Sequence, residues 1–188
     1  MRIFKKKTCP VWVGYLLILP VRKLYQNPYK ILSNYLSPGM QVIDYGCGMG
    51  FFSLPMAKMV SPNGKVICID IQEKMIEKLK HRLRRKRVNH IIETRVASAE
   101  NKWGLDGLKN KIDFILLFAV LHEVYNKKAL FTELYKILKK TGKILFVEPK
   151  HHVPYQEFKE TLNIAESVGF ICKESPKIKM SYSIVLSK

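Results

Sequence analysis

The stretch VIDYGCGMGFFSL (residues 42–54) decides how the rest of the chain is read. It opens with an apolar run, passes through a turn holding Gly46, Gly48 and Gly50, and ends in apolar residues suited to the start of a helix. That order describes a strand, a glycine-rich turn and a helix, the repeating unit of an α/β protein. Glycine has no Cβ, so a ligand can lie directly against the backbone of such a turn. In an open α/β sheet ligands bind beyond the carboxyl ends of the strands, where the strand order reverses.

Outward from this stretch the alternation continues. KVICID (Lys65–Asp70) reads as a second strand, followed by a helix over residues 72–86 with Met75, Ile76, Leu79 and Leu83 at helical spacing. IIETRV (residues 91–96) is a third strand, and KIDFILLF (residues 111–118) a fourth and the most apolar. A helix over residues 127–140 places Leu130, Leu134, Ile137 and Leu138 on one face, and TGKILFVEPK (residues 141–150) is a turn and a fifth strand. YQEFKETLNIAESVGF is a helix stopped by Gly169, and two more strands follow, around residues 171–173 and in MSYSIVLSK. Strands that are apolar almost throughout are buried on both faces, as in a parallel sheet covered by helices. The expected fold is therefore α/β: a Rossmann-like, doubly wound, mostly parallel sheet of about seven strands with helices on both faces. Residues 29–188 form the domain, and residues 1–28 precede it as a lid or cap.

With 188 residues, 47% hydrophobic and 26% charged, the chain has the composition of one globular domain. Its 33 Lys+Arg against 15 Asp+Glu give a net charge of +18, which attracts anionic partners such as nucleic acid, anionic lipid or a phosphorylated substrate. The charges are spread along the chain except in KLKHRLRRKR (residues 78–87), so the excess reads first as a lysine-rich bias that keeps the protein soluble. Cys9, Cys47, Cys68 and Cys172 form neither a C-x-x-C pair nor a zinc spacing, so reduced thiols and a cytoplasmic location are expected. The apolar run at residues 11–19 is far short of the ~20 residues a membrane span needs. The residues after it, Pro20 to Lys23, make a poor signal-peptide cleavage site. This segment reads as a lid or docking element, with peripheral membrane contact through its flanking lysines left open.

The glycines do not follow the dinucleotide pattern G-x-G-x-x-G: they fall as G-x-G-x-G, with Phe51 where a third glycine would stand. Asp44 would repel a pyrophosphate and suits a cationic group. Asp70, about 20 residues beyond Gly50, ends the second strand, where a carboxylate can accept ribose hydroxyls. The turn therefore asks for a nucleoside with free ribose hydroxyls, a positive portion near Asp44, and no phosphate. S-adenosylmethionine meets all three conditions.

VIDYGCGMG followed by VICID resembles the class I S-adenosylmethionine-dependent methyltransferases, in their small-molecule, type-11-like branch. The resemblance runs from about residue 28 to the end of the chain. It implies that Gly46, Gly48, Gly50 and Asp44 meet the methionine part of the cofactor, that Asp70 binds the ribose, and that Ile71 packs on the adenine. VASAE (residues 96–100) looks like the family's loop after the third strand, where an aspartate usually meets the adenine amino group. This chain has Ser98 there, followed by Ala99. FILLFAVLHEV (residues 114–124) is similar to the fourth strand and the turn after it, so backbone near Phe118 and Ala119 would face the methionine portion. Tyr25 and Tyr29 would close over the cofactor, which would leave as S-adenosylhomocysteine.

Methyl transfer from a sulfonium is an in-line displacement that requires alignment, exclusion of water and sometimes a base, but no metal. His122 and Glu123 stand where an acceptor should meet the methyl group, His122 as a base and Glu123 as its orienter or as a cation ligand. A capping or packing role for His122 is an equal alternative. EPKHH (residues 148–152) could form another pocket wall, and adjacent His151 and His152 do not make a metal site. RNA base-methylating enzymes often carry Asn/Asp-Pro-Pro-Tyr/Phe after the fourth strand, and FAVLHEV lacks it. A small-molecule acceptor is therefore expected. Two alternatives stand beside it: an RNA methyltransferase using the basic surface, and a non-catalytic S-adenosylmethionine-binding protein. An NAD(P) oxidoreductase conflicts with Phe51 and Asp44.

Overall fold

A computed structural model of the chain describes residues 10, 12, 14, 15, 18–84, 86, 88–98 and 103–188. Its sheet holds β1 (Gln41–Tyr45), β2 (Lys65–Asp70), β3 (Ile92–Val96), β4 (Ile112–Phe118), β5 (Leu138–Pro149), β6 (Ile171–Glu174) and β7 (Ser181–Ser187). The spatial order is β3-β2-β1-β4-β5-β7-β6. Strands β3 to β5 pair in parallel, and β7 runs antiparallel to both β5 and β6. The helices are α1 (Pro28–Leu32), α2 (Ser53–Val60), α3 (Glu73–Leu83), α4 (Lys127–Ile137) and α5 (Tyr155–Val168), with 3₁₀ turns at Pro20–Leu24 and Leu121–Glu123.

Alternate strand residues point to opposite faces, and here both faces are buried. Val42, Val66, Phe114 and Leu145 join one cluster with Leu32 of α1, Met56 of α2 and Leu79 of α3. Ile43, Ile67, Ile115 and Ile144 join the other with Leu134 of α4 and Phe158 of α5. This arrangement explains the unbroken apolar runs inside the central strands, Val66–Ile69 of β2 and Phe114–Phe118 of β4. The doubly wound expectation therefore holds, with the helices divided between the two faces.

Local signals set most element ends. The Asn27 side chain accepts from the Tyr29 N–H to start α1, and that of Asn126 accepts from the Ala129 N–H to start α4. Gly169, in the left-handed region, ends α5. Two boundaries differ from the sequence expectation. Leu138 is not on the α4 face: its backbone turns extended and pairs with Ile112 of β4, so its side chain is buried by the sheet. Helix α3 stops at Leu83, the last apolar residue it can bury, and does not run on through the basic residues to 86.

The topology places the site. From β1 the chain builds outward to β2 and β3, then crosses to β4 on the other side, so the order reverses between β1 and β4. Tyr45 lies opposite both Ile69 and Leu117, and Phe118 opposite Val147. The carboxyl ends of β1, β2, β4 and β5 thus share one rim.

Gly50 is needed to close this layer. Its φ is +84°, and a Cβ there would come 2.5 Å from Leu79 Cδ1 in the buried face of α3. Gly50→Ala is expected to lower stability by about 1–3 kcal/mol through backbone strain and overpacking. A denaturation midpoint equal to the wild type's would refute that role.

Candidate functional site

The glycine turn is tied to β2 in two ways. The Gly46 and Cys47 N–H groups donate to the Ile69 carbonyl at 2.8 and 3.0 Å. Asp70 Oδ2 then accepts from the Gly48 N–H at 2.8 Å, and its Oδ1 from the Gln72 N–H at 2.9 Å. Asp44, at the end of β1, accepts from the Ser53 hydroxyl at 2.5 Å, which locks the first turn of α2 onto the strand. Both carboxylates are buried and both line one cavity at the rim.

Burial disfavours the charge on each. Asp44 is pushed up to about 6, the Ser53 hydrogen bond pulling it down, the neighbouring Asp70 charge pushing it up and Arg22 pulling it down. Asp70 is also raised by burial, against the pull of the backbone N–H groups it accepts from. Two buried acids at adjacent strand ends make a cavity suited to cations and hydroxyl donors.

Gly48 presents this cavity with bare backbone. At φ +52°, a Cβ built on it would meet nothing within 4 Å, so a side chain there would project into open space. Ile71, Gln72 and Met75 wall the β2 side, and Phe118, Ala119 and Val120 the β4 side. Tyr45 also lines the cavity, and its buried hydroxyl has no hydrogen-bond partner among the described residues.

Arg22, from the Pro20–Leu24 turn, enters the same cavity. Its guanidinium carbon lies 4.2 Å from the ring centre of Phe51 and 5.5 Å from those of Phe52 and Phe118, while its Nε donates to Gln26 Oε1 at 2.8 Å. Burial lowers its pKa to about 10, with Asp44 opposing the shift. A positive group is thus held between three aromatic faces and a buried carboxylate.

At the β4 edge, Glu123 lines the cavity and His122 stands beside it. The partner that orients His122 is Glu148, at the end of β5, rather than Glu123. Glu148 is 1% exposed; its Oε2 lies 2.8 Å from His122 Nδ1, and its Oε1 accepts the His122 backbone N–H at 3.1 Å. The Nε2 of His122 is 4.0 Å from Glu123 Oε1. Burial works against a charge on His122, but the Glu148 hydrogen bond and charge outweigh it and raise the imidazole above its ordinary value. Among the described residues no cluster of His, Cys, Asp or Glu could hold a metal ion.

Of the residues expected from sequence, the cavity gathers Asp44, Gly46, Gly48, Asp70, Ile71, Phe118 and Glu123. Gly50, Tyr25, Tyr29, His122 and Ser98, also expected there, do not line it. Gly50 faces Leu79, because its turn directs it into the α3 packing. Tyr25 is half exposed and lines an outer groove, because the 3₁₀ turn before it directs Arg22 inward instead. Ser98 follows β3 and is not among the residues that line the cavity, and Ala99 lies outside the described residues. Sequence reasoning missed Arg22, Phe52 and Tyr45 and gave Glu148 only a place in a possible wall. The visible signals were a cation inside an apolar segment, paired aromatics after the glycines, and an acid ending an apolar strand.

A family profile described as "Methyltransferase domain" matches residues 36–180. The chain is 27% identical over 128 residues to a demethylmenaquinone methyltransferase of Symbiobacterium thermophilum, covering 68% of this chain and 49% of that protein. It is 30% identical over 119 residues to a ubiquinone/menaquinone biosynthesis C-methyltransferase UbiE of Shewanella pealeana, covering 62% and 46%. The chain therefore spans about half the length of the curated relatives it matches. A crystal structure of a SAM dependent methyltransferase from Aquifex aeolicus superposes with a TM-score of 0.84 at 25% identity, covering 95% of this chain and 98% of that one.

The acid at the end of β1 has a measurable cost. Between the ordinary carboxyl value of 3.8 and about 6, the folded state takes up a proton that the unfolded state does not. The destabilisation from a charged Asp44 is therefore full above pH 6 and fades as the pH falls toward 4. Asp44→Asn should gain stability relative to wild type at pH 7.5, and the gain should shrink by pH 4.5 in chemical denaturation. A pH-independent difference would contradict this account.

Proposed function

The chain belongs to the methyltransferase-domain family, and from that premise we propose that it transfers the sulfonium methyl of S-adenosylmethionine to a small-molecule acceptor. The observation that carries the reading is the pair of buried acids Asp44 and Asp70 at adjacent strand ends, lining one cavity with the bare backbone of Gly48. These residues fit the cofactor's parts. Asp44 suits its positive charge, Asp70 its ribose hydroxyls, and Ile71 and Met75 an apolar base. When bound, the cofactor supplies an already activated methyl group.

The protein's part is to align, to exclude water and to manage a proton. Gly14, Ile18 and Arg22 line the cavity from the N-terminal side, which supports residues 1–28 as its lid. The Asp70 carboxylate has lone-pair capacity beyond the backbone N–H groups it accepts from, so it can take a further donor without releasing the turn. Where the acceptor must lose a proton, His122 is the base. Glu148 accepts from Nδ1–H and leaves Nε2 to take the proton. The named quinone-biosynthesis relatives support a small, quinone-type acceptor. Buried free thiols at Cys47 and Cys68 support a reducing, cytoplasmic setting.

The first test is calorimetric titration with S-adenosylmethionine, S-adenosylhomocysteine and NAD. Both adenosyl ligands should bind in the micromolar range, and NAD should not. Gly48→Ala should weaken binding about tenfold or more while costing only about 1 kcal/mol of stability for its left-handed backbone. It is a cleaner probe than Asp70→Ala, which would also release the turn. NAD binding alone, or no binding, would sink the proposal. For catalysis, His122→Asn should lower kcat by about 10²-fold or more with cofactor affinity little changed. Glu148→Gln should lower the His122 pKa and shift the acid limb of the rate profile to lower pH. An unmoved profile would remove His122 from the mechanism.

A further inference from the structure

The N-terminal segment that lines the cavity on its inner side leaves large apolar side chains on its outer side. Trp12, Leu19, Val21, Leu24, Tyr25 and Tyr29 are all exposed, Trp12 at 66% and Leu24 at 79%. Two grooves flank this segment. One carries Lys23, Lys30, Lys177 and Lys179 around Leu24 and Tyr25. The other carries Lys23, Lys58 and Lys86 around Tyr29 and Leu54. Neither groove is lined by an acidic side chain among the described residues, and Lys23 is common to both. Ile18 and Phe51 line both the second groove and the cavity, so the patch is continuous with the cavity wall.

We infer that this face docks on an anionic lipid bilayer, with the cavity opening toward the membrane interface. Exposed aliphatic and aromatic side chains ringed by lysines match the chemistry of that interface: the apolar groups enter the acyl boundary and the lysines meet acidic headgroups. No helix among the described residues is long and apolar enough to cross a membrane, so the contact is peripheral. Single-stranded RNA would use the lysines and aromatic rings but would give Leu19, Val21 and Leu24 no partner. For the acceptor, this inference rests on the methyl-transfer reading: it narrows the acceptor to an amphiphile that partitions into lipid and reaches the cavity beside the lid.

The test uses the full chain and vesicles of phosphatidylcholine, alone or in equal mixture with phosphatidylglycerol. Co-sedimentation should favour the anionic vesicles by about tenfold or more and weaken with salt. Val21→Glu/Leu24→Glu should abolish binding, and Lys177→Glu/Lys179→Glu should reduce both binding and its salt dependence. The chain has two tryptophans, and Trp103 is buried, so a blue shift on adding vesicles reports Trp12 and should vanish in Trp12→Phe. No sedimentation with wild type, equal binding to neutral vesicles, or a high-affinity RNA complex without vesicle binding would overturn the inference. Cofactor titration of each variant checks that the fold is intact. Cofactor binding without vesicle binding defeats the docking alone. Vesicle binding without cofactor binding defeats the methyl-transfer reading and leaves the docking standing.

Discussion

The Asp70 carboxylate holds together the two pieces of backbone on which the cavity is built. One oxygen accepts from the glycine turn after β1 and the other from the residues after β2. Without it, the turn would be tied to β2 only by the Gly46 and Cys47 N–H groups on the Ile69 carbonyl. With it, the turn is fixed at the one place where the chain reverses its building direction across the sheet. The price is a buried acid, offset by backbone N–H groups aimed at it. Asp44 repeats the arrangement one strand away with the Ser53 hydroxyl.

The three glycines of the turn divide their work. Gly50 lets α3 close against the sheet through Leu79, and a Cβ on Gly46 would meet Val120. Only Gly48 keeps its open side toward empty space. A glycine-rich turn is therefore mostly a packing device here, with a single position left for close approach by a ligand. The same economy appears across the rim, where Glu148 restrains His122 by both backbone and ring. An imidazole held at two points has little rotational freedom left.

The N-terminal segment joins the inside of the molecule to its outside. Arg22 reaches the aromatic enclosure, and within a few residues Val21, Leu24 and Tyr25 face solvent. A short 3₁₀ turn makes this division possible, since it changes side-chain direction over very few residues.

The sequence by itself determined the sheet, its helices on both faces, and the acids and glycines at the rim. Apolar runs ending in Asp44, Asp70 and Phe118 carry that information locally, because burial on two faces leaves polar residues only at strand ends. The tertiary structure decided what depends on residues distant in the chain. Leu138 reads as helix until Ile112 offers it a strand partner. Glu148 orients His122 across 26 positions, and Arg22 finds three aromatic rings of which Phe118 is remote in sequence. Periodicity and spacing report a residue's own neighbourhood. They do not report which strand end will be folded against it, so the expected inward role fell to Tyr25 when the 3₁₀ turn had given it to Arg22.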